Sequence, residues 1–383
     1  MKQRHWSRLA LVALAAAACG VAAAPAAAAP AAAAPAAASG PAAAATAYLQ
    51  ARAAAVTAAD PVTVLAPWVA PGAPLAGAER AIARGTALRG AQQGHRLDVL
   101  NTNVEVLSTT VGEAGATATV IAHVITTTIW RSPSMVRDTE ASGMDHDVAL
   151  QLIDGSWRVV GDKYYDVMVP GYLEAAGAPP AALRAAAKRL ERASLRIREA
   201  KPVVGRRWVV GSSSTRRYND ILKYNRSACC AYADYYALSY CPTYVRFGAD
   251  CANFVSQAAR QGAMPVDSGA YSYGWWYDKK STATPTDDSY SLSWINVTKQ
   301  MAWWNARRSD WVSSINALGR GDFVYYDWSG DGFWDHVAVV VGTNSAGQKI
   351  VDAHTTDYYH TYWKMGYSST AYKFARVRDQ WVV

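Results

Sequence analysis

Asp250-Cys251-Ala252-Asn253-Phe254-Val255-Ser256-Gln257 is the stretch on which the reading of this chain turns. It puts a cysteine where a turn gives way to a helix, and the helix is expected to close at Gly262, a residue suited to the left-handed position past a helix end. His336, 85 residues after Cys251, opens the apolar run Val337-Ala338-Val339-Val340-Val341-Gly342, which has strand composition. A helix N-terminus and a neighbouring imidazolium both favour the thiolate, the reactive form of cysteine. Thiol and imidazole so placed are the two halves of a cysteine-nucleophile amidase.

Gly321–Asp327 reads as a strand, Trp328–Trp334 as its connection to the His336 strand, and Asn344–Gly347 as the next turn. Lys349–Ala353 then makes a third strand that delivers His354. Sequential antiparallel strands are expected to set His336 and His354 side by side, the second orienting the first as the third member of a triad does. His360 is the competing choice for that role. The Cys251 backbone N–H would supply half of an oxyanion hole. Tyr244, Asp250, Asn253, Trp334 and Asp335 flank the two blocks and are the candidates for substrate contact and the remaining donor; Asp335 has the alternative role of orienting a loop. Upstream, Asn219–Leu238 reads as a helix with Asn219 as its N-cap.

The blocks YNRSACCAYADYYAL, DCANFVSQAARQG, GRGDFVYYDWSGDGFWDHVAVVVG and VDAHTTD resemble an amidase-domain family of exported bacterial proteins. That family is similar to the CHAP and NlpC-type cell-wall peptidases, variants of the papain-like fold. The resemblance covers about 218–383 and implies a Cys-His-polar triad, here Cys251, His336 and His354. The family pattern has threonine after the cysteine, where this chain has Ala252. What it implies for function is hydrolysis of an amide bond in peptidoglycan or a peptide. A non-catalytic wall-binding module and an acyltransferase using the same triad are the competing classes.

At 383 residues the chain is too long for one typical domain. Residues 1–45 are expected to be a signal peptide and Ala/Pro-rich leader: Lys2, Arg4 and Arg8 precede the short apolar run Leu9–Ala18, and small-residue sites follow. Cys19 raises the alternative of a lipid-modified cysteine. No other stretch is apolar enough for a membrane helix, so the mature protein is expected to be secreted or cell-wall associated. Residues 46–175 resemble the NTF2-like α+β cone, with a helix at Thr46–Ala59, strands at Asp98–Ser108 and Ala116–Trp130, and a hairpin about Asp154-Gly155. No acid, histidine or cysteine cluster is evident there; His95, His123 and His146 are scattered. Residues 176–215 form a basic helical linker, its helix at Pro179–Ala200, and 216–383 the papain-like domain. The expected fold class is therefore α+β throughout.

Between Ala181 and Arg217 stand 11 Lys/Arg against two Glu, which accounts for the net charge of +8. With no recognition motif beside it, this segment does not read as a nucleic-acid binder; it is a solvated connector with possible electrostatic contact to anionic wall polymers. Of the 15 Trp and 22 Tyr, 10 and 18 fall after residue 217, in numbers that suit both core packing and a ligand groove. Cys229 or Cys230 could pair with Cys241 only if the helix ended near Leu238 and the chain doubled back. No cofactor or metal is expected. Asp327, Ser329, Asp331, Gly332 and Asp335 follow a calcium-loop spacing, but Ala338 stands where the bidentate carboxylate belongs. Cys251, His336 and His354 lack the close ligand pairs of zinc sites.

Overall fold

The computed structural model describes residues 40–92, 94–131, 137–198, 221–279 and 288–382, all within one compact unit. The leader before residue 40 and the linker centre at 199–220, with its Gly/Ser stretch, lie outside the described residues.

The N-terminal half begins with helices α1 (Pro41–Ala55), α2 (Pro61–Leu65) and α3 (Pro74–Gln92). Prolines at the first helical positions of α1 and α2 suit a place where no N–H is needed, and Asp60 caps α2 through Val62 N. A four-strand meander follows: β1 (Arg96–Val111), β2 (Thr117–Arg131), β3 (Arg137–Ile153) and β4 (Ser156–Tyr164). The alternating burial of β2 sends Ala118, Val120, Ala122 and Val124 inward against α1. Asp154 and Gly155 both take positive φ, 48° and 72°, as the two-residue hairpin turn requires. Helices α4 (Val169–Ala175) and α5 (Pro180–Arg198) close this half.

Inside it lies a cavity of about 110 Å³ whose lining includes Arg52, Glu79, Glu140, His146, Asp166 and Tyr358. Arg52 Nε donates to Glu79 at 2.7 Å, Tyr164 OH donates to the other Glu79 oxygen at 3.0 Å, and His146 Nδ1 meets Asp162 at 2.9 Å. Of the three histidines that stand scattered in the sequence, His146 joins this polar network, while His123 pairs with Asp145 and His95 lies against Trp130. Gly85 lets α3 press against α4: a Cβ there would sit 1.8 Å from the Tyr172 carbonyl oxygen.

In the C-terminal half, β5 (Ile221–Lys223) precedes α6 (Arg226–Tyr236) and α7 (Cys251–Gln261). The helix expected from Asn219 starts later because residues 221–223 pair with β14 (Gln380–Val382), and Asn225 is the cap, accepting from Ala228 N at 3.0 Å. The aromatic middle holds β6 (Tyr277–Asp278), β7 (Ser289–Tyr290), α8 (Leu292–Ile295), α9 (Val297–Arg307) and β8 (Ser309–Val312). Strands β9 (Phe323–Asp327), β10 (His336–Thr343), β11 (Lys349–Ala353), β12 (Asp357–Tyr362) and β13 (Ala371–Val377) complete the fold.

The main sheet runs β1-β2-β3-β12-β11-β10-β9-β13-β8, all neighbours antiparallel. β3 spends one part of its outer edge on β4 and another, Ala141–Gly143, on β12, so the two halves share one sheet. The class is α+β with a large antiparallel sheet. One face of β9–β11 packs with Val167 and Met168 of the N-terminal half; the other packs under α6 and α7. Trp275, Trp294, Trp303 and Trp304 lie in that second core, so most of the aromatic surplus there is packing. Among the described residues, no helix is long and apolar enough to cross a membrane.

Candidate active site

Cys251 is the first residue of α7, as its turn-to-helix setting predicts, and Asp250 holds the N-cap position. The Asp250 carboxylate does not cap its own helix. Its Oδ1 accepts from Phe247 N and Asn253 Nδ2, both at 2.9 Å, which folds the loop before the helix. Its Oδ2 receives His354 Nδ1 at 2.8 Å. At the far end of the helix Gly262 has φ −68° and the left-handed position falls to Ala263, at 65°. Glycine is needed at 262 for space instead: a Cβ would lie 2.5 Å from the Tyr224 ring.

The sulfur is buried, 2 % exposed, and sits 4.0 Å from the Asp335 carbonyl oxygen. Burial pushes the thiol up to about 11, against the hydrogen bond from Thr355 and the nearby Val337 N–H, which favour the thiolate. The depressed value expected from the helix N-terminus alone is therefore not reached, because desolvation outweighs the dipole. Cys251 N–H points at Thr355 Oγ1 (3.3 Å), which also accepts from Asp250 N (3.0 Å). The expected oxyanion donor thus holds a threonine hydroxyl. Thr355 was not singled out by sequence; its φ of 94°, rare for a β-branched residue, marks a constrained position.

His336 opens β10, but its ring lies on the other side of the sheet from the thiol. Val337, Val339 and Val341 pack with Cys251 and Phe254, while Ala338 and Val340 pack on the opposite face. The His336 ring follows that second set, 5.5 Å from Tyr326 and 5.4 Å from Trp328. No hydrogen bond joins it to Cys251 or to His354 among the described residues, so the side-by-side triad is corrected. Burial lowers its pKa to about 3, and its Nε2 is buried with no partner among the described residues.

His354 is the imidazole on the sulfur's face. It stacks on Phe254 at 4.0 Å and lies against Tyr240 at 4.4 Å. Its Nε2 bonds the Tyr236 carbonyl at 2.7 Å, which only a donor can do, and its Nδ1 meets the Asp250 carboxylate. Burial opposes the charge, yet Asp250 and Asp357 raise its pKa overall. A ring that donates from both nitrogens is an imidazolium. Its partner is Asp250, not His336.

The remaining candidates are structural in this state. Asn253 also accepts from Trp294 Nε1 at 2.9 Å. The Tyr244 ring packs against Tyr277 and Trp294. Trp334 is buried in the same core. Asp335 Oδ2 accepts from Trp328 N at 3.0 Å, so it orients the loop. The calcium-like turn is held by the Asp327 carboxylate, which accepts from Gly330, Asp331 and Gly332 N–H. Cys229, Cys230, Cys241 and Cys251 are all free thiols. His360 contacts Asp234 at 2.9 Å, away from Cys251.

With this geometry in view, the chain can be set beside known proteins. It is 30% identical over 154 residues to the uncharacterized protein YhbB of Bacillus subtilis (strain 168), covering 39% of this chain and 47% of that one. The chain thus spans about half the length of the curated relative it matches. Its likeness to the intermembrane-space region of the chloroplast protein ARC6, at 14% identity, a TM-score of 0.24, and 32% and 90% coverage of the two chains, carries no argument. Residues 223–377 match the family described as "Putative amidase domain", which supports an amidase-type domain there and suggests amide hydrolysis.

Proposed function

We propose that the C-terminal half hydrolyses an amide bond with Cys251 as nucleophile and the His354–Asp250 pair as its proton-handling partner. The observation that carries this reading is the 2.8 Å bond tying an imidazole to the residue before the cysteine, at a helix N-terminus and on the cysteine's own face of the sheet. The thiol yields its proton to solvent, favoured by the α7 N-terminus and by the Thr355 and Val337 hydrogen bonds. The thiolate adds to the amide carbon. His354 Nε2–H, released from Tyr236, then protonates the amine as the C–N bond breaks. Neutral His354 takes a proton from water, whose oxygen displaces the sulfur and restores thiolate and imidazolium. At 2 % exposure the sulfur is closed, so substrate binding has to open its cover.

A second reading keeps His336 as the base, with His354 as its neighbour. It is favoured by the buried Nε2, unpartnered among the described residues, and by the sulfur's contact with the backbone at Asp335. It requires the first residue of β10 to turn its ring through to the α7 side.

The proposed substrate is a peptide amide of an exported, wall-associated polymer. The leader-like residues 1–45, the basic segment and the family resemblance support it. The cysteine helix laid on antiparallel strands supports a papain-like domain, and the helix-then-meander order an NTF2-like one. Acyl transfer would use the same steps with an amine in place of water. The test is mass spectrometry of purified cell wall incubated with wild type, Cys251→Ala, His354→Asn and His336→Asn. New amine ends should vanish with Cys251→Ala and fall about 10³-fold with His354→Asn, a general acid–base loss, but stay within tenfold with His336→Asn. The reverse order of the two histidines selects the second reading; identical products from wild type and Cys251→Ala remove the enzyme.

A further inference from the structure

We propose that Asp234 of α6, Asp352 of β11 and His360 of β12 bind a first-row divalent cation, zinc by their chemistry, which fastens α6 to the β11–β12 hairpin. A carboxylate oxygen of each aspartate and a ring nitrogen of His360 all lie within 4.8 Å of one another. Asp352 is fully buried, at 0% exposure. Its Oδ1 accepts from His360 N at 2.7 Å, while its Oδ2 has no partner among the described residues. A buried carboxylate oxygen left unmatched is costly, and a second carboxylate beside it raises the cost. A divalent cation held between the two carboxylates would relieve both costs.

The ligand geometry fits such an ion. His360 Nε2 and Asp234 Oδ1 are 2.9 Å apart. Two ligands on one zinc, at about 2.0–2.2 Å each, sit roughly 3.3 Å from one another, so the pair has only to open slightly. The His360 and Asp234 side chains are 28% and 35% exposed, which leaves an entry path and room for water in the fourth position. An imidazole among the donors selects zinc or its neighbours over magnesium and calcium. Asp234 stands two residues before Tyr236, whose carbonyl holds His354. The ion would therefore steady the support of that ring without touching the thiol.

The experiment uses tag-free full-length protein stripped with a chelator, then titrated calorimetrically with zinc chloride. Wild type should take up one equivalent. Asp352→Asn, which keeps the acceptor for His360 N, and Asp234→Asn, on the half-exposed helix face, should each weaken binding at least tenfold. Cobalt(II) bound to the wild type should show no thiolate charge-transfer band, which separates this site from the chain's five cysteines. No binding by wild type, unchanged binding in both variants, or a thiolate band from the single equivalent would overturn the proposal. None of these readouts depends on amide hydrolysis, so the two proposals fail separately.

Discussion

Alkylation of Cys251 across pH tests the electrostatics of the site most sharply. Burial pushes this thiol from an ordinary value of 9.0 up to about 11. At pH 7 an ordinary thiol is about 1% thiolate, whereas one with a value near 11 is about 0.01%. Since only the thiolate alkylates, the folded chain should label at Cys251 roughly 100-fold more slowly than the unfolded chain, before any loss from restricted access. The assay is iodoacetamide labelling between pH 6 and pH 11, quenched at intervals and read by peptide mass spectrometry, with urea-unfolded protein as reference. Cys241, the partly exposed thiol, should label first. The Cys251 rate should still be climbing above pH 9. A plateau already reached below pH 8 would refute the reasoning, because it would mean that the helix N-terminus and His354 outweigh desolvation before any substrate arrives.

Four further outcomes rest on the packing and charges. His336, with a folded pKa near 3 against 6.5 unfolded, leaves the unfolded chain binding the extra proton between those values, so stability rises with pH there; His336→Asn should flatten that limb in urea melts. His354 has the opposite sign: its raised value means the folded state holds the extra proton above 6.5, so stability falls as pH rises through the folded value, and His354→Asn should remove that fall. Gly85→Ala should cost about 3 kcal/mol or more by forcing α3 away from α4, seen as a lowered Tm with the amidase-type half's near-ultraviolet signal retained. Glu79→Ala should cost about 1–3 kcal/mol in urea denaturation, because Arg52, its side chain 18% exposed, would keep only Asp162, 4.0 Å away, as counter-charge.

The strands were legible because their chemistry is local. The Val, Ile and Thr content of Ala116–Trp130 and the Asp154-Gly155 turn place β2 and the β3–β4 hairpin, and the valine run after His336 places β10. Cys251 was legible as a helix start for the same reason. The histidine partner was not. A strand shows its two faces to alternate residues, so whether His336 or Val337 meets α7 is a question of one residue of phase. That phase is set by the β9 and β11 registers, which nothing local to His336 encodes. The Asp250–His354 pair joins residues 104 apart, and it displaced the simpler idea of two adjacent histidines. Helix α3 was hidden by its small residues, including Gly77, Gly85 and Gly90, which weaken helix propensity; Gly85 and Gly90 serve close packing against Tyr172 and Trp130. The polar network about Arg52 and Glu79 is assembled from four elements and has no sequence signature.

Trapping the acyl-enzyme tests the nucleophile directly. Full-length protein mixed with an activated peptide ester and acid-quenched within the first turnover should gain the mass of one acyl group. Peptide mapping should place it on Cys251, and His354→Asn should slow its release. An adduct on another residue, or no adduct while the ester is consumed at the wild-type rate by Cys251→Ala, would contradict the account.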